Sequence, residues 1–436
     1  MDPMLLVILM TALVLVLLAL GMPVAFSLAA CGIIGMAFLK SLGMAVSTLE
    51  IVPLQKIASY FLVMVPMFIL MGQLAYAADL SKDAYNVGNK WLGQFPGGLG
   101  IATVAASALF GACSGSTTAA AAALGKVCVP EMRKFGYDPK LAAGLVASAG
   151  TIANLIPPSI GFVVYGILTG ESIGKLLISG IVPGILTAVV FALVIFLIAL
   201  KAPHLAPRGA AASWKERLAS LPGILPILLL FGIIIVGIYT GIATSIEIAG
   251  VGAFAAFVMA LIIFLRRHSS WNRLRDSFQE TVSSTAMIFT LFIGAGLFSY
   301  FLTLAGLPFR IQQAVASTSL PPIAILLLVL LMYVPLGMFL DPMSMQVLTI
   351  PIVYPTLVGL GYSGIWLGVL IMKLIEIGML TPPVGLNVFA LKAVVPDIPL
   401  EDIFRGTSLF LTAEAVIVTI LIALPQLSLW LPNAVK

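Results

Sequence analysis

The stretch Gly150-Thr151-Ile152-Ala153-Asn154-Leu155-Ile156-Pro157-Pro158 lies inside a long apolar segment, at the depth where a bilayer midplane falls. Tandem prolines remove two backbone donors and push Ile156 out of helical geometry, so an unbroken spanning helix does not run through this point. The same event recurs 225 residues later, at Gly378-Met379-Leu380-Thr381-Pro382-Pro383. Two helices broken at corresponding positions in two halves of a chain point to the binding site of a transporter.

That reading requires a membrane chain, and composition supplies one. The sequence is 61% hydrophobic and 9% charged, whereas soluble domains carry about 25% charged residues. The apolar runs are too many and too long for buried cores, which makes this an all-α polytopic protein of the lipid bilayer. The net charge of +5 is spread over loops and speaks for topology, with no nucleic-acid partner. Cys31, Cys113 and Cys128 sit in apolar segments without paired spacing, and His204 and His268 lie in charged loops. Neither a disulfide framework nor a His-based metal site is expected. The first run, residues 4–20, lacks a basic leader and a cleavage site, and reads as a retained helix.

In order, 4–20 and 22–39 are apolar runs, 40–56 a sparsely charged connection, 57–77 a third run and 79–90 polar. Residues 95–130 are apolar but interrupted at Gly111-Ala112-Cys113-Ser114-Gly115-Ser116-Thr117-Thr118. Each arm is about 15 residues, roughly 23 Å, too short to span. This predicts a re-entrant helical hairpin with its tip at 114–116. The broken helix 141–169, a span at 176–200 and a hydrophilic linker at 201–217 follow. The second half repeats the order: spans at 221–240 and 246–265, a polar helix at 266–281 suited to the headgroup level, a span at 285–305, an interrupted run at 319–353, the second broken helix at 363–395 and a last span at 407–431.

At a shift of 225, Pro130 meets Pro355, Gly136-Tyr137 meets Gly361-Tyr362, Pro157-Pro158 meets Pro382-Pro383, and Ile173 meets Ile398. Four matches in register mark an internal repeat. Five crossings plus a hairpin per half is an odd count, which sets the halves in opposite orientations. The predicted architecture is therefore two inverted repeats, 1–217 and 218–436, ten crossings and two hairpins. With the 201–217 linker cytoplasmic, the cytoplasmic segments hold fourteen Lys/Arg and the opposite side five, Lys436 included. This orientation obeys the positive-inside rule and leaves both termini outside the cytoplasm.

Irregular backbone survives in hydrocarbon only where it is buried or hydrated. A half-helix C-terminus offers carbonyls to a cation, and a half-helix N-terminus attracts an anion. Na⁺ is a hard cation that prefers oxygen ligands. Ser114, Gly115, Ser116, Asn154 and Pro157 are the candidate Na⁺ ligands of the first half. Gly337, Asp341, Thr381, Gly385 and Asn387 are those of the second. Ser116, Thr117, Lys126, Pro158 and Pro383 are placed to contact a substrate. Other roles remain open: Ser and Thr back-bond to carbonyls, glycine permits close packing, and Asp341 is an intramembrane carboxylate or a helix cap. Lys126 attracts an anion or snorkels to the interface. Lys373 and Glu376, three apart on one helix, are expected to pair, and Glu414 in the last span is unassigned.

The motifs Gly111-Ala112-Cys113-Ser114-Gly115-Ser116, Val129-Pro130-Glu131-Met132, Gly136-Tyr137-Asp138-Pro139, Leu155-Ile156-Pro157-Pro158-Ser159, Met338-Phe339-Leu340-Asp341, and Glu376-Ile377-Gly378 running into Thr381-Pro382-Pro383-Val384-Gly385-Leu386-Asn387 cover nearly the whole chain. Together they resemble the large membrane subunit of tripartite ATP-independent periplasmic (TRAP) transporters. The run Pro342-Met343-Ser344-Met345 departs from that pattern at the second tip, where a small polar residue comes first. The resemblance implies an ion-transporter-superfamily fold with an elevator mechanism, in the inner membrane of a bacterium, and no enzymatic activity. It also implies a small four-helix membrane subunit and a periplasmic substrate-binding protein as partners, Na⁺ as the co-transported ion, and import of a small organic anion such as a C4-dicarboxylate, sialic acid or a keto acid. A self-sufficient secondary anion or Na⁺/H⁺ transporter of similar architecture is the alternative. A channel would need a continuous polar face along its spans, and an intramembrane enzyme would need paired catalytic groups.

Overall fold

The computed structural model describes residues 2–267 and 270–434, with the backbone alone at Ala316. His268 and the terminal Lys436, both used in the sequence reading, lie outside the described residues. Among the described residues the chain is helical throughout, without a strand.

The first half runs through helices Pro3–Ala19, Val24–Leu39, Leu42–Ile57, Met64–Ala77 and Leu80–Leu92, then the antiparallel pair Gly98–Ser114 and Thr117–Lys134. The broken helix follows as Pro139–Ala149, a 3₁₀ turn Gly150–Asn154 and a second arm Ile160–Thr169; Ile173–Ser179 and Ile181–Lys201 complete the half. The second half holds Trp214–Ser220, Leu225–Thr240, Ser245–Arg267, Trp271–Leu304 and Leu307–Ser317, then the pair Pro322–Gly337 and Pro342–Gly359. Its broken helix is Gly364–Leu380 plus Leu386–Val394, and Leu400–Ala423 and Gln426–Ala434 close the chain.

The two interruptions and two proline breaks thus lie where the sequence puts them. Three segments differ. Residues 40–56, expected as a connection, form a helix whose N-terminus Ser41 caps by accepting from the Met44 amide at 3.2 Å. The polar 79–90 segment is also helical, because Leu80, Ala84, Tyr85 and Val87 share one buried face. The polar stretch at 266–281 is no separate headgroup-level helix: from Trp271 onward it runs unbroken into the 285–305 span as one 34-residue helix, Trp271–Leu304.

Among the described residues five helices are long and apolar enough to cross a membrane: Tyr60–Ala77, Ile173–Lys201, Ser245–Arg267, Trp271–Leu304 and Leu400–Ala423. A sixth counts if the pair Trp214–Gly223 and Leu225–Thr240, bent by 50°, is one span. Other apolar helices, including Pro3–Ala19, Val24–Leu39 and Pro322–Gly337, are 10–17 residues long.

The repeat extends to the elements themselves. Thr117–Lys134 and Pro342–Gly359 are both 18 residues, begin 225 apart, and are capped by Ser116 and Asp341 respectively. Pro139–Ala149 and Gly364–Leu380 also begin 225 apart. Each follows a glycine of positive φ, Gly136 at 81° and Gly361 at 90°, and both Pro-Pro bonds are cis.

Close helix crossings use glycine, as packing without a hydrophobic driving force requires. A Cβ on Gly32 would lie 2.8 Å from the Leu297 and Phe298 backbone, and Gly144 meets the Gly406 backbone directly. The second crossing joins Pro139–Ala149 to Leu400–Ala423. An ion cluster ties that same long helix to Gly364–Leu380. Lys373 Nζ lies 3.3 Å from Glu376 and 2.6 Å from Glu414, all three fully buried. Glu414 thereby acquires a partner, and the expected pair is a triad. The Trp366 indole N–H adds a 2.9 Å bond to the Leu421 carbonyl.

Removing one member of a buried ion cluster strands the others, at a cost of about 3–5 kcal/mol. Lys373→Met is therefore expected to lower thermal stability sharply in detergent or nanodiscs, and an unchanged melting curve would show that Lys373 does not hold the two helices together.

Candidate functional site

The tip of the first hairpin is made by a change of backbone hand. Helix Gly98–Ser114 ends at Gly115 with φ +57°, and Ser116 restarts the chain as an extended N-cap whose hydroxyl accepts from the Ala119 amide at 3.4 Å. A Cβ on Gly115 would fall against the Pro158 carbonyl oxygen, so glycine serves both the turn and the contact. The tip of the hairpin thus rests on the break of the first broken helix. Gly111 likewise packs against Ala153, where a Cβ would lie 2.5 Å from the Ala153 Cα.

Asn154 ends the 3₁₀ turn, is 2% exposed, and accepts from the Ser159 hydroxyl at 3.2 Å. Ser114 is 5% exposed and its hydroxyl has no partner among the described residues. Thr117 is buried, with its hydroxyl 3.6 Å from the Met379 sulfur, which brings the first tip onto the second broken helix. Asn387 reaches the other way, its amide 3.5 Å from the Ala147 carbonyl, while its own Oδ1 has no partner among the described residues.

The second tip is built differently. Gly337 ends its arm against Gly378, with a would-be Cβ 2.7 Å from the Gly378 Cα. Asp341 caps the following helix: Oδ1 accepts from the Met343 and Ser344 amides at 3.0 and 3.1 Å, and Oδ2 accepts from the Ser344 hydroxyl. Of the two roles open to Asp341, capping is present. Thr381 back-bonds to the Ile377 carbonyl at 2.6 Å, and Gly385 turns the chain with φ +62°.

These elements surround a cavity of about 870 Å³. Ser114, Gly115, Ser116, Thr117, Lys126, Asn154 and Asp341 line it, as do Met379 and Leu386 from the second break. Pro157, Pro158, Gly337, Thr381, Pro383, Gly385 and Asn387 do not reach its wall. Pro158 acts through its carbonyl beneath Gly115, and Pro383 is exposed elsewhere. Each tip therefore reaches the cavity, but the second break does so mainly through apolar side chains.

Two further contributors to the wall were not anticipated from the sequence: helix Met64–Ala77, with Gln73 and Tyr76, and Trp271–Leu304, with Arg273, Asp276, Ser277, Glu280 and Ser284. Spacings of three, four and seven put those five on one helical face, and a polar stripe inside an otherwise apolar helix is the signal that would have found them. The Arg273 guanidinium donates to both Asp79 oxygens at 2.9 and 2.7 Å, which holds that carboxyl below the usual carboxylate range. Lys126 donates to the Tyr76 hydroxyl at 3.2 Å, so neither bare snorkelling nor an ion pair describes it.

Residues 11–427 match the family model of the tripartite ATP-independent periplasmic transporter, DctM component. The C4-dicarboxylate TRAP transporter large permease protein DctM of Pseudomonas aeruginosa is 36% identical over 376 residues, 86% of each chain. The ectoine/5-hydroxyectoine TRAP transporter large permease protein UehC of Ruegeria pomeroyi is 34% identical over 419 residues, 95% of this chain and 96% of that one. In fold, the Alcanivorax borkumensis YdaH transporter superposes with a TM-score of 0.61 at 14% identity, over 98% of this chain and all of that one.

The tip geometry can be checked without reference to activity. A β-branched side chain at Gly115 combines left-handed strain of about 1–3 kcal/mol with collision against Pro158. Gly115→Val is expected to open the tip and expose the buried Cys113 to maleimide, which leaves the parent protein unlabelled at that position. Equal resistance of Cys113 in both proteins would mean the tip does not need glycine.

Proposed function

The chain belongs to the DctM-component family of TRAP transporters, and from that membership we propose a Na⁺-coupled importer subunit that moves a small carboxylate-bearing molecule across a bacterial inner membrane. The observation that carries this is the shared cavity: hairpin tips, helix breaks and a polar face of another helix converge on one space in a chain this apolar. Its partners would be a small membrane subunit and a periplasmic binding protein. Permeases for C4-dicarboxylate and for ectoine are both among the similar proteins.

The oxygen-rich tips suit Na⁺ as cargo. Among the described residues Ser114 Oγ and Asn387 Oδ1 are buried oxygens without partners, and a hard monovalent cation satisfies such atoms. One ion would sit with Ser114, Gly115, Ser116, Asn154 and the carbonyls about Pro157. A second would use Gly337, Asp341, Thr381, Gly385 and Asn387. The N-terminus of Thr117–Lys134 and Lys126 favour the substrate carboxylate.

The two halves are read as inverted repeats with both termini periplasmic. The cavity then opens among the segments that the charge bias assigns to the cytoplasm, an inward-facing state. The hairpins and broken helices, 95–170 and 319–395, would move as one body, because displacing one element alone dismantles the site. Contacts across the halves support a single body: the Tyr165 hydroxyl donates to the Gly364 carbonyl at 2.8 Å, and Tyr354 to Glu171 at 2.8 Å. Leu400–Ala423 joins that body rather than the scaffold, through its buried triad and glycine crossing. The Lys126–Tyr76 bond then spans the sliding boundary.

Reconstitution in liposomes with the small subunit, the binding protein and a Na⁺ gradient tests the proposal. Uptake requires all three proteins and the gradient; uptake by this chain alone would favour the self-sufficient carrier. Asp341→Asn keeps capping ability, since Asn and Asp are equivalent N-caps, but removes the charge. The Na⁺ concentration for half-maximal uptake is expected to rise about tenfold, which corresponds to about 1.4 kcal/mol. An unchanged Na⁺ titration removes Asp341 from the ligand set.

A further inference from the structure

Helix Met64–Ala77 is fastened to the long helices of the second half and, separately, touches the first hairpin. On the first count, the Ser277 hydroxyl donates to the Gln73 carbonyl at 3.3 Å, and the Arg267 guanidinium to the Ala78 carbonyl at 3.4 Å, just past the helix end. A Cβ on Gly252 would lie 3.2 Å from the Met71 sulfur. On the second count, the hairpin is met at Gly72 and Tyr76, which stand four apart and share a helix face. Lys126 donates to Tyr76, a contact between two side chains that can swing away. The contact at Gly72 has no such freedom. A Cβ there would lie 2.8 Å from the Ser114 Cα, 2.9 Å from the Ser114 carbonyl oxygen and 3.3 Å from that of Cys113. All three are backbone atoms, so no change of rotamer makes room for a side chain.

The tip cannot give way by itself. Gly115 lies on the Pro158 carbonyl and Gly111 on Ala153, each closer than a Cβ allows. A collision at residue 72 is therefore relieved by moving the hairpin and the broken helix together against Met64–Ala77. Resting on the reading of 95–170 and 319–395 as one moving body and of Met64–Ala77 as scaffold, we propose that Gly72 is a positioning residue for transport. Its missing side chain is the seat that lets the first tip dock on the scaffold in the arrangement seen here. A methyl group at this position excludes that arrangement and leaves each body intact, so the body rests elsewhere along the scaffold and the cycle loses this end. The Lys126–Tyr76 bond is the soft part of the same contact, and Gly72 is the part that decides whether the tip fits.

Distances between pairs of spin labels test this in the full chain in nanodiscs. In a background with Cys31, Cys113 and Cys128 replaced by alanine, Lys134→Cys with Arg275→Cys reports the body against the scaffold; both positions are exposed. Lys134→Cys with Gly359→Cys, where a Cβ meets nothing within 4 Å, reports within the body. Gly72→Ala is expected to lower the population at the parent's body-to-scaffold distance about tenfold relative to other distances, the scale of overpacking a close contact. Gly72→Val is expected to abolish it. The within-body distance stays the same in all three proteins. If the parent shows two body-to-scaffold distances and neither variant shifts their ratio, the role of Gly72 is overturned and the moving body stands. One unchanged body-to-scaffold distance in parent and variants, with and without Na⁺, overturns both. A within-body distance that changes in Gly72→Ala makes Gly72 a residue of the fold alone and overturns the inference.

Discussion

Everything near the site depends on one constraint: a backbone carbonyl or amide inside the membrane must find a partner within the protein. Two proline breaks and two hairpin tips create such groups in quantity. The fold answers by stacking one irregularity on another. The first tip lies on the Pro158 carbonyl through Gly115, Gly111 lies on Ala153, and Gly337 lies on Gly378. Side chains complete the closure, with Ser116, Ser159 and Asp341 each capping a helix that restarts after a break. Among the described residues some buried oxygens keep no partner, Ser114 Oγ and Asn387 Oδ1 among them, and the proposed cation sites rest on those two.

Holding four irregular pieces in register needs rigidity from outside the site. The Lys373, Glu376 and Glu414 triad supplies a fixed point between Gly364–Leu380 and Leu400–Ala423, and the Gly144 and Gly406 contact brings that same long helix onto the first broken helix. Leu400–Ala423 therefore clamps both breaks at once. A buried ion cluster is weak evidence for net stability, but it penalises any shift that separates its members. That property suits the single moving body proposed above, which would have to shift without deforming.

Much of this was legible in the sequence because it is local. Proline removes donors wherever it stands, and glycine permits positive φ, so both breaks, both tips and the repeat at 225 residues could be read without neighbours. Helices Leu42–Ile57 and Leu80–Leu92 were missed because only apolar runs were counted; their helicity rests on one buried face and on caps such as Ser41. Glu414 gained its role from Lys373, 41 positions earlier in the chain, and no local pattern encodes that pairing. Asp341 shows the opposite limit: its position was found, but its capping role depends on which amides the folded tip presents.

The polar start of Trp271–Leu304 illustrates how the same residues change meaning with their surroundings. Arginines and a tryptophan at a helix start suit a headgroup layer, and charge composition alone supports that placement. The helix, however, continues unbroken into an apolar span, so its polar turns reach past the start to Glu280 and Ser284. Carboxylates at that distance along a spanning helix need water or a partner. Among the described residues Asp276 and Glu280 have no ionic partner, and the cavity is what solvates them. The hairpin tips and this helix therefore share one space, to which the tips bring hydroxyls and a helix N-terminus and the helix brings the exposed Asp276 and Glu280.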